Sequence, residues 1–328
     1  MSGSQTTSGV KFTLWRSLGS WLSPGGNKGR LSILIYHQVL YAPDPLRPGG
    51  VDAATFNWQM GLLARHFNVL PLMIAVKRLR EGSLPARAVC ITFDDGYADN
   101  AEIALPILQA WGLPATFFIA TGYLNGGRMF NDTVIEVLRY VPPGKLDLSD
   151  LELGIYHLEN LQARATAAQR IIKLLKYLPN SEREERIRYL TSFAQSPLSN
   201  KLMLSSQQVQ KLHVAGMEIG AHTVNHPILA NLEKDVASRE IAEGKKQLEA
   251  LIGEQVRLFA YPNGKPGQDY LPEHVDMVRE LGFDSAVSTK WGVSTMQTDP
   301  WQLPRFTPWD TSPIRFMARL LMNCRFLP

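Results

Sequence analysis

The run Ile91-Thr92-Phe93-Asp94-Asp95-Gly96 ends an apolar stretch with two adjacent carboxylates, at the point where a β-strand should stop. One acid of such a pair can hold a metal while its neighbour works as a base. A second chemical signal is the pair His222 and His226 in Gly220-Ala221-His222-Thr223-Val224-Asn225-His226-Pro227, directly after another apolar run. A helix-like turn would bring imidazoles four apart onto one side, and Pro227 discourages a regular helix there, so the pair belongs to a strand-end loop. Two imidazoles and one carboxylate leave coordination positions open for water, which a divalent metal makes acidic enough to attack near neutral pH. Each feature also has a plain reading: a hydrogen-bonded structural histidine, or acids capping the helix expected from residue 98. A mononuclear iron oxygenase also uses two histidines and a carboxylate, but the paired aspartates and the α/β rhythm described next speak against it.

The elements that must position these groups follow a regular alternation. Short apolar runs typical of buried strands occur at 31–36, 88–93, 115–120, 217–221, 256–261 and 283–288, with helical patterns between them at 54–66, 72–81, 98–111, 233–252 and 271–281. Alternation of this kind predicts an α/β fold of parallel strands joined by helical crossovers, with catalytic groups gathered at strand-end loops as in barrel enzymes. Residues 132–213 break the rhythm with helical stretches at 132–140, 157–178 and 181–194 and no convincing strand, which predicts a helical insertion in a barrel loop. The domain plan is a flexible, amphipathic segment over 1–30, a catalytic domain over 31–310 and an amphipathic helix over 311–328.

The 328 residues are 45% hydrophobic and 20% charged, enough for a sizeable core and unlike a disordered chain. Net charge is only +4, with basic residues spread rather than clustered, which argues against nucleic acid as a partner. Cys90 lies inside an apolar run and reads as a small buried hydrophobe rather than half of a disulfide with Cys324. Residues 10–22 are too short and too interrupted by Lys11 and Arg16 for a membrane span or a good signal peptide. Those residues and 314–327 have the spacing of helices that pack on the body of a fold or lie on a membrane surface. The expected location is cytoplasmic or peripheral to the inner face of the membrane.

Taken together, Thr92-Phe93-Asp94-Asp95-Gly96, His222-Thr223-Val224-Asn225-His226-Pro227 and Phe259-Ala260-Tyr261-Pro262-Asn263-Gly264 resemble, in order and separation, the three signature motifs of the polysaccharide deacetylases, the NodB-homology or carbohydrate esterase family 4 enzymes. The resemblance spans roughly 31–308. It implies an incomplete, distorted (β/α) barrel that removes acetyl groups from N-acetylated saccharides or glycolipids. It also implies a divalent cation, Zn with Co or Ni as alternatives, held by Asp95, His222 and His226, with Asp94 as general base and the amide N–H of Tyr261 stabilising the oxyanion.

Two departures from the family pattern stand out. The third-motif arginine that orients the base is replaced by Ala260, and the C-terminal Leu-x-x-His carrying the general acid is missing after Pro304. The subgroup resembling poly-N-acetylglucosamine deacetylases has a permuted motif order with its acid histidine near the N-terminus, which makes His37, in Leu34-Ile35-Tyr36-His37-Gln38-Val39, the expected acid. Arg305, in Leu303-Pro304-Arg305-Phe306, is expected to reach Asp94 from the last strand. Asp132 is read as a helix N-cap or a sugar contact, and Trp291, Leu303 and Trp309 as an apolar wall for the acetyl group or as core. The alternatives are a hydrolase of non-sugar amides or imides on this scaffold, and a metal-containing carbohydrate-binding protein without turnover.

Overall fold

The computed structural model describes Ser17 and residues 19–324, apart from the side chain of Asn180. Besides a two-residue pair, Val39–Leu40 with Val51–Asp52, its strands are β1 (Leu31–Tyr36), β2 (Asn68–Val69), β3 (Ala88–Phe93), β4 (Thr116–Ile119), β5 (Lys145–Leu148), β6 (Gly154–His157), β7 (Glu218–Ala221), β8 (Leu258–Ala260), β9 (Ser285–Trp291) and β10 (Leu303–Arg305). The main sheet runs β1-β3-β4-β7-β8-β9-β10, all parallel, with β2 beside the start of β3. Its two ends meet: Phe306 N donates to Ile33 O at 2.8 Å and Ile35 N to Phe306 O at 3.0 Å. The parallel strands follow the alternating pattern, and the sheet closes into the distorted (β/α) barrel that the family resemblance implies, with a register shift between Val287 and Trp291.

Ten α-helices accompany the strands among the described residues: α1 (Ala53–His66), α2 (Leu72–Arg80), α3 (Leu105–Trp111), α4 (Phe130–Tyr140), α5 (Leu161–Leu175), α6 (Asn180–Thr191), α7 (Ser206–Val214), α8 (Lys234–Ile252), α9 (Pro272–Glu280) and α10 (Pro313–Asn323). Because strand side chains alternate, Leu31, Ile33, Cys90, Phe118, Leu258, Val287 and Leu303 form one cluster while Leu34, Tyr36, Ile91, Phe93, Phe117 and Ile119 join a second beneath the helices. Leu72, Ala75, Val76 and Leu79 of α2 belong to the first cluster, so this helix plugs the barrel at the starts of the strands. Glu218, at the start of β7, holds it there by accepting from Leu72 N at 2.6 Å and Met73 N at 3.1 Å, satisfying two orphan donors of the first turn. The opposite end, where the strands stop, is left for chemistry.

The insertion has a core of its own, with Val134, Val137 and Leu138 of α4 packed with Leu146, Leu148, Ile171 and Leu190. Two features depart from the expected all-helical segment. β5 and β6 form an antiparallel hairpin, carried by Leu146 and Leu148 facing inward in a four-residue alternation too short to read as a strand by itself. Helix α7, started by a capping box between Ser205 and Gln208, sends Val209 and Leu212 into the main core and so belongs to the barrel layer.

The helix expected over 98–111 opens with a π-type turn at Asn100–Ala104 before α3 takes over at Leu105, one residue ahead of Pro106. Phe316, Met317, Leu320 and Leu321 turn the apolar face of α10 into the main core, where Trp58 meets Phe316 edge-on at 5.7 Å. That face is therefore packed on the body of the fold, the first of the two readings. Residues 1–16, Leu18 and 325–328, which carry most of the N-terminal amphipathic segment and the end of the C-terminal one, lie outside the described residues. No helix among the described residues is long and apolar enough to cross a membrane.

Candidate active site

The site is built from the loops after β3, β7 and β10. Asp94 N still donates to Tyr36 O at 3.0 Å, so the ladder persists to the first acid. Asp95 then takes a left-handed conformation, φ +76°, and Gly96 follows at φ +87° with Ile119 so close that a Cβ would stand 3.0 Å from its Cγ2. This sharp exit turns the two neighbouring carboxylates in different directions. After β7 the chain does not form a helical turn. Thr223 and His226 both adopt positive φ, and Thr223 Oγ1 accepts from His226 N at 3.0 Å. Glu240 of α8 pins the loop by accepting from Val224 N, Asn225 N and Asn225 Nδ2, and Gly244 lets α8 come so near that a Cβ would lie 2.8 Å from the Thr223 carbonyl.

These loops bring Asp95 Oδ1 to 3.4 Å from His222 Nε2 and 3.4 Å from His226 Nε2. Among the described residues this is the one cluster of three metal-ligand types whose donor atoms all lie within 4.8 Å of one another. His222 Nδ1 lies 2.7 Å from Ala260 O, so it carries the proton and leaves Nε2 as a lone-pair donor. Burial pushes His226 down to about 4, favouring the neutral ligating form. Burial raises Asp95, but the neighbouring histidines outweigh it and hold the carboxyl below the ordinary range. One deprotonated carboxylate and two imidazole nitrogens converging on a small gap fit a divalent cation, and Ala260 contributes its carbonyl where a long side chain was expected.

Asp94 points to the barrel interior instead. Arg305 Nη1 donates to Asp94 Oδ1 at 2.7 Å and Nη2 to Oδ2 at 2.6 Å, a bidentate pair with both side chains buried. Two further donors of Arg305 reach Thr92 Oγ1 at 3.2 Å and Ser288 O at 2.9 Å. Burial alone would raise the Asp94 pKa; the charge of Arg305, then that of His222, more than reverses this and keeps the carboxylate ionised. Barrel closure between β10 and β1 is what lets residues 211 positions apart meet.

His37 follows β1 and is exposed. Its carbonyl accepts from Asn100 Nδ2 at 2.8 Å, and the π-type turn places that buried amide there. Val39 N donates to Asp99 Oδ1 at 3.1 Å, so consecutive residues of one turn hold the loop after β1. A cleft of about 310 Å³ beside His37 is walled by Gln38, Pro48, Gln169, Thr307 and Trp309.

Other expected groups lie elsewhere. The Tyr261 N–H donates to Val287 O at 3.2 Å in the parallel ladder, its ring stacks on Tyr270 at 3.8 Å, and its hydroxyl reaches Trp301 O, so it has no N–H to offer an oxyanion. Two residues on, Asn263 has φ +60° and, among the described residues, an amide N–H with no acceptor. Leu303 is fully buried in the barrel cluster. Asp132 is not the N-cap of α4, a position held by Met129. It lies within the first turn, where Arg47 Nη1 donates to it at 2.7 Å and Tyr97 OH at 2.9 Å. Trp291 is partly exposed and packs against Phe306 and Trp309 at the end of β9. Asn100, Glu240 and Arg47 were not singled out in the sequence, since none stands in a motif and each acts across a gap in the chain; Asn263 stands in the third motif, where the expected donor was Tyr261.

The sequence profile of the family described as polysaccharide deacetylase matches residues 81–143 and 165–286, more than half of the chain. The chain belongs to the polysaccharide deacetylase family. It is 21% identical to the Bacillus subtilis protein YxkH, named as a polysaccharide deacetylase, over 84% of this chain and 70% of that protein. It is 31% identical over 112 residues to the poly-beta-1,6-N-acetyl-D-glucosamine N-deacetylase of Staphylococcus aureus, a match spanning 34% of this chain and 39% of the relative. The fold is shared with the Streptococcus pyogenes deacetylase PplD, whose structure was solved in complex with acetate: TM-score 0.60, 19% identity, 90% of this chain and 99% of the other.

Proposed function

We propose that this protein is a metal-dependent N-deacetylase of an amino-sugar-containing glycan or glycolipid, releasing acetate. The observation that carries the reading is the divided pair: Asp95 faces two imidazoles while Asp94, the next residue, is clamped by Arg305. Asp95, His222 and His226 would hold a divalent cation, Zn or in its place Co or Ni. Bound there, it would supply Lewis acidity, polarising the acetyl carbonyl and making a water acidic near neutral pH.

The chain's own groups then divide the remaining work. Asp94 accepts the proton of the attacking water, and Arg305 keeps both its orientation and its charge by engaging both oxygens. An amide nitrogen cannot leave as an anion, so His37 donates a proton to it as the C–N bond breaks; its exposure and its rigidly held backbone suit that task. The Asn263 N–H, unused in the ladder, is the donor for the oxyanion in place of Tyr261. Arg305 answers the loss represented by Ala260, which weighs against a protein without turnover.

Relatives named for N-acetylglucosamine polymers support a saccharide over a small amide as substrate. The test is acetate release from a panel of N-acetylated oligosaccharides and glycolipids by protein loaded with Zn, Co or Ni. Turnover abolished by His222→Ala together with loss of bound metal supports the reading. Ammonia release from small amides with no acetate from any saccharide rejects it.

A further inference from the structure

Soon after His37 the chain makes an excursion over residues 41–50, closed at its base by the parallel pair Val39–Leu40 with Val51–Asp52. Its tip turns back on itself, Arg47 N donating to Asp44 O at 2.9 Å and Gly50 N to Arg47 O at 2.8 Å. That tip docks on the insertion and not on the barrel. Leu46 is buried and belongs to the insertion's own apolar core, with Val134, Val137 and Leu138 of α4, and Arg139 of α4 pairs with Asp44 at 2.5 Å.

Beside Leu46 a chain of hydrogen bonds runs from the loop of the proposed acid to the loop of the paired aspartates. Arg47 Nη1 donates to Oε1 of Gln38, the residue after His37, at 2.8 Å, and to Asp132 Oδ1 at 2.7 Å. The other oxygen of Asp132 accepts from Tyr97 OH at 2.9 Å, and Tyr97 stands two residues past Asp95. Asp132 is fully buried and Tyr97 nearly so. Donors from two different strand-end loops therefore meet on one buried carboxylate that the insertion supplies. Apolar packing alone would fasten the insertion at a lower desolvation cost, and Leu46 already provides it. What directed bonds to a buried charge add is a fixed distance and angle between the elements that carry the partners. Asn100 and Asp99 hold the backbone on either side of Gln38, so the segment bearing His37 is clamped by two separate sets of bonds.

Resting on the deacetylase reading, we infer that Arg47, Asp132 and Tyr97 are positioning residues that hold His37 at its working distance from the paired aspartates, with the insertion as the brace between them. The acid acts only as the C–N bond breaks, and a small displacement of such a group lowers the rate of that step without weakening substrate binding. A loose brace should therefore show in kcat, and only where the leaving group needs a proton.

The test compares two acetyl substrates with the full-length, metal-loaded protein. One is the N-acetylated oligosaccharide from which the parent releases most acetate, whose amine must be protonated to leave. The other is 4-nitrophenyl acetate, whose phenolate leaves as an anion. Tyr97→Phe removes one link, and Asp132→Asn leaves a single acceptor oxygen for two donors. Each should lower the saccharide-to-ester ratio of kcat by about tenfold to a hundredfold, with KM for the saccharide little changed. Arg164→Gln is the control for a role in folding alone. It disturbs the bonds that Arg164 gives to the Leu138 and Val141 carbonyls at the end of α4, so it loosens the insertion without cutting the chain, and it should keep the parent's ratio. A ratio unchanged in either Tyr97→Phe or Asp132→Asn, or an equal fall in Arg164→Gln, would overturn the proposal. Hydrogen exchange of the metal-free protein decides the brace without turnover: the Arg47 and Gly50 amides should exchange several-fold faster in Tyr97→Phe and Asp132→Asn, and unchanged protection there rejects it. No acetate from any saccharide would reject the deacetylase reading and leave hydrogen exchange to decide the brace.

Discussion

Arg305 and Arg47 close on carboxylates, whereas Arg128 donates to the Thr133 hydroxyl and the Ser199 carbonyl. The first two are internal fittings. Arg305 is held by Asp94, Thr92 and Ser288, and Arg47 ties the loop after β1 to α4 through Gln38, Asp132 and Glu136. Arg128 has the same charge but is less buried, and its bonds go to neutral groups. Removing one member of a compensated pair strands a buried charge, whereas removing an uncompensated arginine strands nothing.

The largest effect is expected at the compensated centre. Asp94→Asn should retain metal and lower kcat by roughly 10²–10⁴-fold, the range for losing a positioned base, with His37→Ala in the same range. Acetate release read beside metal content checks both, and undiminished turnover would reject the assigned roles. Next, Arg305→Met should destabilise the fold by about 3–5 kcal/mol in urea unfolding, because Asp94 is left charged and buried. Asp94→Asn/Arg305→Met should recover much of that loss; a double variant no more stable than the single one would deny that the pair is the cause.

Arg47→Met should also cost several kcal/mol, about 3 where one partner of a buried pair is lost, since Asp132 keeps only the Tyr97 hydroxyl. Arg128→Met should cost about 1 kcal/mol or less, as expected for lost bonds to groups that leave no buried charge behind. Equal losses for the two variants would erase the distinction between the arginine groups.

The smallest effect concerns Asp99, which supports the loop after β1 and whose pKa burial pushes up to about 7. An acid that holds its proton more tightly when folded makes stability fall as pH rises from its unfolded pKa near 4 toward 7. Asp99→Asn keeps an acceptor for Val39 N and removes that penalty. Its melting temperature relative to the parent should therefore rise between pH 5 and pH 8; a constant difference would show that Asp99 does not titrate there.

Much of the barrel was legible because buried parallel strands are continuous apolar runs and the helices between them are long and periodic. The hairpin β5–β6 was not, since Lys145-Leu146-Asp147-Leu148 offers only two inward residues and its packing partners are on α4 and α5. The site divides in the same way. Asp95, His222 and His226 stand where strands end, so their convergence follows once β3 and β7 run parallel on either side of β4 in one curved sheet. Asn100 gave no signal, because its role depends on a π-type turn that shifts one amide onto the His37 carbonyl.

By itself, the sequence determined which chemistry was available: two neighbouring acids, two spaced imidazoles, an alternating α/β rhythm and a family motif set that names them. Only the tertiary structure decided how backbone donors and charges were shared out. Tyr261 lost its N–H to Val287 while Asn263 kept one, because ladder bonding depends on the neighbouring strand's register and not on the residue's own identity. Arg305 became a partner for Asp94 because the barrel closes, and Arg128 bonds to neutral groups while the acids of α4 turn toward Arg47 and Arg139. A charge is visible in a sequence; whether it is already neutralised is a property of the space around it.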